Sequence, residues 1–119
     1  GKSRVIAIKR IFLLVFMRVI WQLKDSHIIG VEVELSAKWS RKLDDFVLRI
    51  HQALASKMYH FFVIATDSPA IQSRYEAAFK QPVVNRWQEN NRGHYQIVEQ
   101  IDLPPTLAKQ LIFKLMLDE

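Results

Sequence analysis

The sequence predicts an α/β domain, and three stretches carry that prediction. Residues 28–36 alternate from Gly30 onward, the period-two signature of a strand. Residues 40–56 place Leu43, Phe46, Val47, Ile50 and Leu54 on one helical stripe. Residues 58–66 (MYHFFVIAT) form a largely apolar run that reads as a buried strand. Strand, helix and strand at this spacing favour a right-handed parallel crossover.

The remaining elements follow in chain order. Residues 4–23 are rich in β-branched and aromatic types and predict two strands, or a short helix and then a strand. A single buried helix over residues 5–17 fits the same apolar run, which periodicity alone does not decide. Lys24-Asp25-Ser26-His27 is a polar turn that leads into the strand at 28–36 through a hairpin. Ser40 is placed to cap the following helix. Ser68-Pro69 opens a second helix, with Ile71, Tyr75, Ala78 and Phe79 on one face. Residues 80–93 are polar and turn-rich, and residues 95–101 alternate as a strand. Pro104-Pro105-Thr106 predicts a last helix with Leu107, Leu111, Ile112 and Leu115 inward. The predicted order is β-β-α-β-α-β-α after an uncertain first element, giving a mixed β-sheet flanked by helices. No repeat or linker interrupts it, so residues 1–119 read as a single domain, with Gly1-Lys2-Ser3 a frayed end or cloning remnant.

Composition removes several classes of function. The chain has 119 residues, half of them hydrophobic, and no Cys. Disulfide frameworks, cysteine zinc sites and thiol catalysis are excluded, and a cytoplasmic location is expected. The longest uncharged apolar run, Ile11–Met17, is far short of the ~20 residues a spanning helix needs, so no membrane span is expected. No small-residue cleavage site precedes Arg18, which argues against an export signal. The net charge is +5, and it is uneven. Residues 1–60 hold eleven Lys/Arg against five Asp/Glu, whereas residues 61–119 hold six against seven. A basic front half suits a polyanion such as nucleic acid.

The unusual feature is a pair of acids on one strand face. Glu32 and Glu34 are two residues apart and share a side of the sheet. At roughly 7 Å and an effective dielectric near 20, their repulsion is about 2 kcal/mol. An ordinary exposed strand tolerates such a pair in water. A strand covered on both faces does not, because a covered carboxylate needs a partner. Lys38 continues the same parity and supplies one positive charge; a Mg2+ or Mn2+ ion, which prefers carboxylate oxygens, supplies two.

Other candidates surround this pair. Lys38, Arg41 and Lys42 stand at a helix start, where the helix dipole adds to their charge for phosphate contact. Arg86, Trp87 and Arg92 lie in a stretch mixing cations, aromatics and amides, suited to phosphates and to stacking on a splayed base. Alternatively, Trp87 packs into the core. Asp44 and Asp45 are expected to be solvated and paired with Arg41, Lys42 or Arg49. The four His residues show no HxH or HExxH spacing, and His60 reads as a satisfied core residue.

The segment Gly30-Val-Glu-Val-Glu-Leu-Ser-Ala-Lys38, followed by Arg41-Lys42 and a helix, resembles the nuclease-like domain of the replication-relaxation proteins of plasmids and integrated elements, which include relaxase-type mobilization proteins. That domain resembles a branch of the PD-(D/E)XK restriction-endonuclease fold, and the resemblance is best over residues 17–66. It implies metal-dependent nicking or cleavage of DNA during plasmid mobilization, conjugation or replication, in a bacterial cytoplasm and without an organic cofactor. Carried over, Glu34 is a metal ligand, Glu32 a second acid and Lys38 the basic partner, the three together forming the catalytic set. The family places its Lys two residues after the Glu, where this chain has Ser36, and an acid upstream near Phe16-Met17. Asp25 is the nearest upstream acid here. Two alternatives follow: Asp25 joins Glu32 and Glu34 as a metal ligand, or the domain binds DNA or docks a protein without cutting. The resemblance also implies partners among mobilization or replication proteins and a possible homodimer. A third reading, from the residues alone, is a small α/β protein that oligomerises through exposed apolar side chains.

Overall fold

The structure is a computed structural model that describes residues 27–116. The elements predicted over residues 4–23, and Asp25 with its turn, lie outside the described residues. The described chain is α/β: strand β1 (Ile29–Glu34), helix α1 (Ser40–Ala55), β2 (Phe61–Thr66), α2 (Pro69–Phe79), β3 (Val83–Glu89), β4 (Tyr95–Asp102), a 3-10 turn (Leu107–Gln110) and β5 (Leu111–Leu115). No helix among the described residues is long and apolar enough to cross a membrane.

The parallel crossover predicted around α1 is present. β1 pairs with β2 in parallel, with Glu34 opposite Thr66. β2 pairs in parallel with β5, giving the order β1-β2-β5. Both crossovers advance in the same direction, so right-handed connections put α1 and α2 on one face of the sheet. The two helices meet there: the Phe46 ring on α1 lies 5.3 Å from Tyr75 and 5.9 Å from Phe79 on α2. Phe46, Val47, Ile50 and Leu54 close over Phe62, Ile64 and Leu111 of the sheet in one core. Val63 and Ala65, on the other face of β2, are also fully buried. A strand buried on both sides has no alternation, which is why residues 61–66 read as an unbroken apolar run.

Gly30 is dictated by packing. A Cβ on it would overlap the ring of Phe62, its partner in the β1–β2 register. Phe62 is itself buried in the core.

Five expectations are corrected. First, β1 is not covered on both faces; its neighbour among the described residues is β2, and the hairpin partner expected on its other side lies outside them. Val33 and Leu35 are about two-fifths exposed. Second, Ser40 does not cap α1. Trp39 occupies the cap position without a side-chain bond, and Ser40 is the first helical residue at φ 44. Third, residues 58–60 precede β2 instead of belonging to it. His60 is exposed, and its Nδ1 accepts the Ile28 amide at 2.9 Å. Fourth, residues 83–89 of the predicted loop are strand β3, paired antiparallel with β4. Fifth, the predicted last helix is the short 3-10 turn followed by β5. The spacing of Leu107, Leu111, Ile112 and Leu115 fits a helix, but Leu111–Leu115 extends beside the exposed sheet edge of β2 and gains its ladder there.

The second helix forms as predicted. Ser68 Oγ accepts the Ile71 amide at 3.3 Å, Pro69 starts the helix, and Ile71, Tyr75 and Phe79 are buried.

Candidate functional site

The carboxyl ends of β1 and β2 and the starts of α1 and α2 share one edge of the sheet, the usual location of sites in open α/β folds. Glu34 and Thr66, neighbours in the register, are the buried polar side chains there. The chain must turn from Glu34 to the start of α1 within five residues, 35–39. That turn is fixed from α2. The Tyr75 hydroxyl accepts the Lys38 amide at 3.2 Å and donates to the Ser36 carbonyl at 3.4 Å. Burial first, and then the nearby Glu34 charge, push the Tyr75 hydroxyl pKa above its ordinary value of 10.0. The phenol therefore stays protonated and able to donate.

With the turn held, Lys38 Nζ reaches back to Glu34 Oε2 at 2.6 Å. Glu32 is served by a different cation: Arg49 Nη1 of α1 donates to its Oε1 at 2.6 Å. Phe46 lies under both cations, 5.5 Å from Lys38 Nζ and 5.4 Å from Arg49 Cζ. The repulsion expected between the two acids is thus relieved by two separate ion pairs. The strand-face placement of Glu32 and Glu34 was legible; Arg49 was assigned to the acids of its own helix, and only the crossover brings it to Glu32.

This arrangement bears on a divalent ion. Each carboxylate already faces a cation of its own, so the two together present little net charge to a Mg2+ or Mn2+ ion. Among the described residues no group of three His, Asp or Glu converges as a metal site. Asp25, the proposed third ligand, lies outside them. Within the described residues, two of the three expected ligands, Glu32 and Glu34, are present, each engaged by its own cation.

The residues predicted to contact nucleic acid fall into two sets. Lys38, Arg41 and Lys42 are gathered at the start of α1 as expected. Arg41 Nη1 pairs with Asp45 at 3.2 Å, and its guanidinium carbon lies 3.8 Å from the Tyr95 ring centroid. Lys42 makes no ion pair among the described residues and is exposed. The hairpin residues diverge. Arg86 pairs with Glu99 across the strands at 2.8 Å. The Trp87 indole donates to Asp44 Oδ2 at 2.8 Å and is half-buried against α1, so it anchors the hairpin. That bond also corrects the view of Asp44 as a solvated partner of a cation. Arg92 lies in the turn at 90–94, where Gly93 takes φ 76 and Asn90 Oδ1 accepts the Arg92 and His94 amides. Because Tyr95 follows that turn directly, its stack with Arg41 brings the hairpin turn beside the first turn of α1.

Of the two aromatics at this place, Tyr95 ends the stretch 85–95 already read as suited to stacking on a base, and Trp39 was not singled out from the sequence. Trp39 is 60% exposed with the Arg74 guanidinium carbon 2.9 Å from its ring centroid, and Tyr95 is 47% exposed under Arg41. A sequence signal existed for the first: Trp39 stands inside the basic string Lys38-Trp39-Ser40-Arg41-Lys42.

No family model, curated protein or solved structure matches this chain.

Proposed function

We propose that this chain is a DNA-binding domain, on an endonuclease-like core, of a mobile-element mobilization or replication protein. The observation that carries the proposal is the cluster of Lys38, Arg41 and Lys42 at the start of α1, with Arg74 beside Trp39 and the hairpin turn carrying Arg92 brought alongside through Tyr95. These cations surround the carboxyl edge of the sheet, where phosphates would replace the water around Lys42 and Arg92. The Lys38–Glu34 pair fixes the turn that presents them.

A second reading is metal-dependent nicking of the bound DNA, with Glu34, Glu32 and Asp25 as ligands and Lys38 as basic partner. The proximity of Lys38 to Glu34 favours it, because a basic group beside a strand carboxylate is what the resembled nucleases use. It requires Glu34 to be released from Lys38 and an acid from outside the described residues.

Incubation with supercoiled plasmid and Mg2+ or Mn2+ separates the two. Retarded plasmid that stays supercoiled is the expected result for a binding domain. Conversion to open circles that Glu34→Gln abolishes would instead support the nicking reading. Unaltered mobility at low salt of both the plasmid and its heat-denatured, single-stranded form would remove both.

A further inference from the structure

We infer that the ligand of this edge is single-stranded DNA, its bases stacked on Trp39 and Tyr95; the inference rests on the DNA-binding reading above. Aromatic side chains that stand half in water offer a face on which a base can stack. Two do so here: Trp39 is 60% exposed and Tyr95 47% exposed. Each carries a guanidinium on its ring, Arg74 at 2.9 Å and Arg41 at 3.8 Å from the centroid. A guanidinium over a ring is held by the quadrupole while N–H groups on its edge can meet phosphate oxygens; Arg41 gives one of its own, on Nη1, to Asp45 and keeps the others for a ligand. Each pair is therefore a platform and a phosphate donor together.

The two pairs bracket one short stretch of chain. Trp39 is the cap residue of α1, and Arg41, which holds Tyr95, lies in its first turn. Two residues apart at a helix start, their side chains leave on different sides of the axis. Arg74 of α2 meets one side, and the hairpin meets the other through Tyr95. Lys38 and Lys42 flank the same stretch. Alternating aromatics and cations along a surface is the pattern that takes up a strand by its backbone and its base faces. Duplex DNA keeps its base faces stacked inside, so these rings would meet only sugar and phosphate there. An unpaired strand offers a base to each ring.

The test compares a labelled oligothymidylate of ~15 nucleotides with a random-sequence duplex of similar length, by fluorescence anisotropy on the intact chain. The wild type should bind the oligothymidylate more tightly than the duplex. Trp39→Ala and Tyr95→Ala should each weaken oligothymidylate binding by roughly 5- to 150-fold, the range measured for loss of one stacked base. Trp39→Phe should retain most of it. Indole emission read on the natural chain gives a second measure: oligothymidylate should quench it, and the quench should shrink in Trp39→Phe even though that variant still binds. Equal or tighter binding to the duplex, or unchanged affinity in both alanine variants, overturns the inference and leaves the DNA-binding reading standing. Failure of the wild type to bind either probe removes the DNA-binding reading itself.

Discussion

Lys38 Nζ lies 2.6 Å from Glu34 Oε2, and Glu34 is almost entirely buried. The pair closes the turn between β1 and α1 and neutralises the one buried carboxylate among the described residues. Removing only one partner leaves a charge with poor access to water, which typically costs about 3–5 kcal/mol for a buried pair. Lys38→Met should therefore be strongly destabilising in a urea titration. Combining it with Glu34→Gln should restore most of the loss, since no charge is then stranded. If the double variant is no more stable than Lys38→Met, the pair is not what holds the turn.

The neighbouring pair should behave differently. Arg49 is more than half exposed, and an exposed ion pair contributes about 0–1 kcal/mol. Arg49→Gln is thus expected to shift the urea midpoint only slightly. A loss as large as that of Lys38→Met would mean that Glu32 is far less accessible to water than its partner suggests.

Gly30→Ala tests the packing of β1 on β2. The added methyl enters the space of the Phe62 ring, and overpacking of this kind costs about 1–3 kcal/mol. Gly30→Ala with Phe62→Leu should recover part of that, because the smaller side chain yields the room. Thermal melts of the three variants and wild type read the effect directly.

The Tyr75 phenol gives a pH dependence whose sign is fixed. Its pKa in the folded chain is raised, by burial first and by Glu34 second. Folding then favours the protonated phenol. The corresponding stability is complete below the unfolded value, about 10, and is lost as pH rises through the folded one. Urea midpoints should fall above about pH 10, and Tyr75→Phe, although weaker at neutral pH through loss of two hydrogen bonds, should fall less steeply there. Parallel curves for the two proteins would assign the alkaline loss to other groups.

Local signals decided which elements were legible. The stripe from Leu43 to Leu54 and the Ser68-Pro69 start need nothing beyond their own neighbours, and both helices form where the sequence puts them. β3 has no such signal. Asn85, Arg86, Gln88 and Glu89 are ordinary loop residues, and they become a strand by pairing with β4 and by the bond from Trp87 to Asp44 on α1. β5 was obscured because an apolar run in contact with a central strand reads equally well as helix. In the candidate site, Lys38 lies four residues from Glu34, so their meeting is visible in the chain. Arg49 with Glu32 and Arg41 with Tyr95 meet only through the crossover and the hairpin, across 17 residues in the first case. Trp87 had two readings, and the hydrogen bond to Asp44 selects the packing one.

The central claim, that the cations around the start of α1 hold DNA phosphates, is tested most directly by the salt dependence of binding in wild type and Lys42→Ala. If Arg41, Lys42, Arg74 and Arg92 each meet a phosphate, the slope of log affinity against log salt should be about −3 on an unpaired strand. Lys42→Ala should lower its magnitude by about 0.7 and leave the urea midpoint almost unchanged, because Lys42 is exposed and makes no ion pair among the described residues. Binding that ignores salt, or a slope identical in the two proteins, would contradict the account.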